Sequence, residues 1–63
     1  MFKIKKRIRF ENQKEIAKKI GIDESTLCRI LKGKQGTKKT TAYCIVKCYD
    51  ENAEINDYFY IEK

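Results

Sequence analysis

Sixty-three residues are enough for one small domain, and a chain of this length buries only about 60% of the surface it exposes when unfolded. Fifteen basic and nine acidic residues give a formal charge of +6, and the absence of histidine together with an odd count of three cysteines excludes histidine-based catalysis and disfavours a closed disulfide framework. The longest apolar runs are a few residues, too short for a bilayer, so no membrane association and a cytoplasmic location are expected.

The charge is unevenly spread. Residues 1–49 carry fourteen basic against four acidic side chains, a balance of +10, whereas residues 50–63 carry one against five, or −4. Such a field favours a polyanion at the basic part and turns the acidic tail away from it. A core of this size supplies about 3–5 kcal/mol of net stability, which makes self-association an expectation. There is no phosphate-cradling glycine motif and no carboxylate pair that the expected fold would bring together, so neither catalysis, a cofactor nor a small-molecule substrate is expected. Without histidine, a zinc site would need Cys28, Cys44, Cys48 and a further ligand; Cys44 and Cys48 are helical neighbours, but free thiols are the favoured reading and no metal is expected.

The chain opens with MFKIKKRIRF, where Phe2, Ile4, Ile8 and Phe10 alternate with Lys3, Lys5, Arg7 and Arg9, and Lys6 alone breaks the period. Period two predicts a short strand; a helix using Met1, Ile4 and Ile8 leaves Phe2 and Phe10 poorly placed. The basic side chains suit phosphate contact, a minor-groove arm or a merely solvated edge, and the pattern does not choose among them.

Residues 13–33, QKEIAKKIGIDESTLCRILKG, hold two amphipathic segments that meet at a glycine. Ile16, Ala17 and Ile20 share one face of the first, with Lys14 and Lys18 opposite. Gly21 ends it in the left-handed conformation that costs other residues roughly 1 kcal/mol or more. Ile22 can pack back on the helix it leaves, and Asp23 stands where its carboxylate would cap the second helix. Leu27, Ile30 and Leu31 form the inward stripe of that helix, and Gly33 stops it. Ser25, Arg29 and Lys32 lie on the outer face, with Glu24 at the first turn, and none of them serves a core. Ala17 is small where two steeply crossed helices must approach. A short braced helix with polar side chains outward is the geometry offered to a DNA major groove.

After Gly33, KQGTKK reads as a turn, Thr37 as a cap, and Ala42, Ile45, Val46 and Tyr49 as the core face of a third helix. Cys44 and Lys47 face away from that stripe, with Cys48 at its flank. The tail, residues 50–63, is acidic and aromatic. Asp50 to Asn52 reads as a turn; Ile55, Tyr58 and Phe59 share a helical face, while Tyr58 to Ile61 is equally good strand material. Three consecutive aromatics are too many to leave wet, so Ile55, Tyr58, Phe59 and Tyr60 are expected to pack on the core and form a dimer contact, with strand pairing to Phe2–Ile8 as one route.

Gln13, Ala17, Gly21, Ile22, Leu27 and Ile30 resemble, in type and spacing, the helix-turn-helix pattern of the lambda repressor and Cro type, the xenobiotic-response-element family. The likeness is close over residues 13–33, and the Gly33 turn and following helix extend it to roughly Phe10–Tyr49. The N-terminal alternation departs from most relatives, which carry a first helix there, whereas Cro itself uses terminal strands.

The resemblance implies a mainly α domain, to which the residue pattern adds short N- and C-terminal strands as one reading, and a homodimer that sets two recognition helices in successive major grooves about 34 Å apart on a palindromic operator in double-stranded DNA. It gives base reading to Glu24, Ser25 and Arg29, the last suited to guanine O6 and N7. It gives phosphate contact to Gln13, and the basic loop behind the recognition helix adds Lys32, Lys34, Thr37, Lys38 and Lys39. The same fold also serves as a protein-binding module, such as an antitoxin, an excision factor or an inhibitor of a nucleic-acid enzyme. Apolar outer-face residues would favour that alternative; Ser25, Arg29 and Lys32 favour DNA.

Overall fold

Two glycines in left-handed backbone, Gly21 (φ +92°) and Gly33 (φ +77°), set the ends of the first two helices. The computed structural model describes residues 1–62. Along them run strand β1 (Phe2–Ile4), helices α1 (Gln13–Ile20), α2 (Glu24–Leu31), α3 (Lys39–Tyr49) and α4 (Ile55–Tyr58), and strand β2 (Phe59–Ile61). About half of the chain is helical, so the domain is mainly α with a two-stranded antiparallel sheet.

Helix α1 begins at Asn12, whose Oδ1 accepts the Glu15 amide at 3.1 Å while its Nδ2 donates to the Glu15 carboxylate, also at 3.1 Å. That exchange satisfies one of the free first-turn amides. At the other end the Gly21 and Ile22 amides both donate to the Ala17 carbonyl, at 2.9 and 3.0 Å. Asp23 occupies the cap position of α2, yet its carboxylate accepts no amide of that helix, contrary to the expected side-chain cap. α2 closes at Gly33: the Gly33 amide donates to Ile30 and the Lys34 amide to Arg29, a Schellman reversal.

Thr37 does not cap α3. Lys38 takes that position without a side-chain bond, and Thr37 is drawn into an antiparallel bridge with Phe2, each amide donating to the other's carbonyl at 2.8 Å. Two backbone bonds in a buried setting outweigh one exposed capping bond.

The expected N-terminal strand forms, but only over Phe2–Ile4, paired Phe2 with Ile61, Lys3 with Tyr60 and Ile4 with Phe59. Its partner ends there, because the chain before Phe59 is helical; the Lys5 and Lys6 amides both reach the Tyr58 carbonyl, and the segment then turns to bury Ile8. The tail thus uses both of its readings, one helical turn followed by a strand. An Asx turn, in which Asn52 donates to Asp50 Oδ1, leads into it.

Ile8, Ala17, Leu27, Ile30, Ala42, Ile45, Val46, Ala53 and Phe59 make the buried core. Helix α1 packs on α2 and α3, α4 on α3, and β1 on α2. Tyr49 differs from expectation: it is 44% exposed. Its ring sits at the last residue of α3, edge to face with Phe10 and Tyr58 at 6.0 and 5.6 Å, where the hydroxyl keeps access to water. Lys47, expected to face outward, is half-buried and donates to the Glu51 and Ala53 carbonyls at 3.1 and 2.7 Å.

Phe59 is the largest fully buried side chain and only 1% exposed, so its ring belongs to the core of its own chain and not to a dimer contact. Phe59→Ala is expected to cost about 3–5 kcal/mol, comparable to the whole stability of a domain this small. Urea unfolding followed by far-ultraviolet circular dichroism should find that variant largely unfolded in buffer, and Tyr60→Ala close to wild type; equal stabilities would contradict the core assignment.

Candidate nucleic-acid interface

Burying Leu27 and Ile30 fixes which way α2 faces. Glu24, Ser25, Arg29 and Lys32 are then exposed on the opposite side. Ala17 is 1% exposed, which lets α1 lie close behind α2; a larger side chain would have to displace one of the helices. Glu24 and Ser25 sit in the first turn of α2, and their side chains make no hydrogen bond among the described residues.

Arg29 is held. Its Nε donates to Gln35 Oε1 at 3.0 Å and its Nη2 to Thr26 Oγ1 at 3.5 Å, while Nη1 carries no bond among the described residues. Gln35 is a contact of Arg29 that the sequence reading missed. The reversal at Gly33 brings it there, because the Lys34 amide is bonded to the Arg29 carbonyl and the next side chain therefore lies beside Arg29. The signal was present as a glycine stop four residues after an outward arginine and two before a glutamine. Two such anchors remove part of the rotamer freedom that an exposed arginine would otherwise lose on meeting a ligand.

Lys32, Lys34, Lys38 and Lys39 are all exposed around the end of α2 and the start of α3. Among the described residues the ion pair is Lys3 with Glu62, 3.2 Å apart, so none of those four is neutralised. Thr37 is 8% exposed and its amide and carbonyl are spent on Phe2, which leaves little of it to meet a phosphate. Gln13 lies in the first turn of α1 and is half-buried. It lines a cleft of about 480 Å³ together with Lys32 and the N-terminal segment.

Of the tail residues, Ile55 and Tyr58 are half-buried against their own core, and Tyr60 is exposed. Cys28 and Cys48 are half-buried and Cys44 is exposed; all three are free thiols.

Gln35→Ala should release the Arg29 guanidinium without unfolding the domain. An exposed hydrogen bond of this kind corresponds to roughly 2–10-fold in the exchange rate of the Arg29 Nε proton, measurable by nitrogen-15 spectroscopy. An unchanged rate would mean that Gln35 does not position Arg29.

Compared with known proteins, the chain matches no family model, no curated protein and no solved structure, so a functional reading stands on the residues and their geometry.

Proposed function

We propose that this chain is a sequence-specific double-stranded DNA-binding regulator of the lambda repressor and Cro helix-turn-helix type, acting as a dimeric repressor on a palindromic operator. The observation that carries the reading is Arg29: an exposed guanidinium on a braced helix, tethered through Nε and Nη2, with Nη1 free of partners among the described residues. An arginine so held can present its end to guanine O6 and N7, the commonest specific base contact. Glu24 and Ser25, one turn before it, reach neighbouring base edges, with Glu24 accepting from cytosine N4. A carboxylate there also repels phosphate, which penalises misaligned sites. The unneutralised Lys32, Lys34, Lys38 and Lys39 supply phosphate contacts on either side of the reading residues.

For the dimer contact we propose the outer edge of β2, because Phe59 is taken up by its own core while the neighbouring Tyr60 and Ile61 are exposed, Ile61 to 65%. An uncovered strand edge with apolar side chains is a template for pairing with a second copy.

Selection of bound duplexes from a random pool should return a two-fold symmetric consensus. On that operator, Arg29→Ala is expected to lose about 1–3 kcal/mol and relax the preference at one base pair, whereas Lys38→Ala should weaken all sequences alike and flatten the salt dependence by about one unit. A loss for Arg29→Ala that is equal on every sequence would remove it from base reading. In titrations read by native mass spectrometry, the wild type should load two chains in one step and Ile61→Lys should load them singly. Unaltered stepwise behaviour in that variant would remove the β2 edge from the contact.

A further inference from the structure

We propose that the cleft between the N-terminal segment and the C-terminal end of α2 is a second phosphate-binding site, one that takes the sugar–phosphate backbone of the duplex beyond the stretch held by the loop lysines; this rests on the DNA-binding reading above. Lys5, Lys6, Arg7, Arg9 and Lys32 line it with Gln13, and among the described residues no carboxylate does. At about 480 Å³ it is far larger than one phosphate group needs and suits a run of backbone.

The wall is fixed in place. Ile8 is plugged into the core between Arg7 and Arg9, the Lys5 amide donates to the Tyr58 carbonyl at 2.7 Å, and the Lys6 ammonium lies 5.5 Å from the centre of the Tyr58 ring. Residues 5–9 are therefore one side of a cleft and not a free arm reaching for a minor groove. Like charges held this close repel one another, and none of them pairs with an acid: the ion pair among the described residues, Lys3 with Glu62, lies outside the cleft. A polyanion relieves that repulsion and releases its own counterions in doing so. Lys32, at the C-terminal end of α2, lines the cleft with Gln13 and is also exposed beside Lys34, so the cleft adjoins the surface proposed to meet the duplex.

The test uses the full chain, its selected operator and the double variant Arg7→Gln/Arg9→Gln, in which both changed side chains are exposed. Two lost phosphate contacts should make the slope of log affinity against log salt shallower by about two units, so that raising salt from about 50 to 200 mM costs the variant roughly tenfold less than the wild type. Base preference should not change, and phosphate-ethylation interference should vanish at backbone positions other than those sensitive to Lys34→Ala, Lys38→Ala and Lys39→Ala. An unchanged slope and interference pattern, with selective operator binding retained, overturns the cleft site and leaves the DNA reading standing. Should the wild type select no duplex, the DNA reading fails by itself. Inorganic tripolyphosphate then decides the cleft: amide shifts at Gln13 and Lys32 that disappear in the double variant establish a site for free phosphate chains, and their absence overturns it.

Discussion

The outer face of α2 depends on the reversal at Gly33. Its φ of +77° lets the Gly33 and Lys34 amides return to Ile30 and Arg29. A Cβ added there would meet Ile4 Cγ2 at 3.7 Å, an ordinary contact, so the constraint is the backbone angle and not the space. The strain for another residue is of the order of 1 kcal/mol, modest alone but applied where three further contacts begin. Gln35 reaches Arg29, Thr37 reaches Phe2, and Phe2 in turn pairs with Ile61. One turn thereby connects the positioning of a surface arginine to the closure of the chain ends.

That closure joins residues nearly the whole chain apart, and a ladder of three pairs is a weak fastening for it. The apolar side chains do more. Phe59 is wholly buried and Phe2 and Ile4 partly so, which removes apolar surface from water at the same place where the ladder forms. Sheet and core are consequently one cooperative unit, and removing the tail would take out the largest core side chain along with the strand.

Residues 13–33 were legible because their signals are local. Gly21, Gly33, the buried Leu27 and Ile30 and the small Ala17 each act within a turn or two of their own position. The Asn12–Glu15 exchange was equally local and was missed: a cap-forming residue three before a glutamate is a capping signature, whereas Asp23 has the right place without the bond. Thr37 and Tyr49 went astray for another reason. The bridge to Phe2 and the aromatic stack with Phe10 and Tyr58 join distant parts of the sequence, and periodicity carries no information about them, whereas the packing of the tail aromatics on the core was legible from their number alone. The site followed the same division. Which residues face outward on α2 could be read from its stripe, but not that Gln35 holds Arg29 or that Gln13 and Lys32 line one cleft with the N-terminal segment.

The spending of the tail within one chain bears on how two copies would meet. A three-residue edge with Tyr60 and Ile61 is a small surface, while a stable interface in free solution buries about 1,200–2,000 Å² in total. The chain also carries a net charge of +6, so two copies repel one another until a polyanion lies between them. A duplex with two half-sites removes that repulsion and holds the copies at a high effective concentration, where a weak edge contact suffices. In the proposed dimer, association and operator recognition are then a single linked equilibrium, and the strand edge acts on the spacing of the half-sites more than on the affinity for either one.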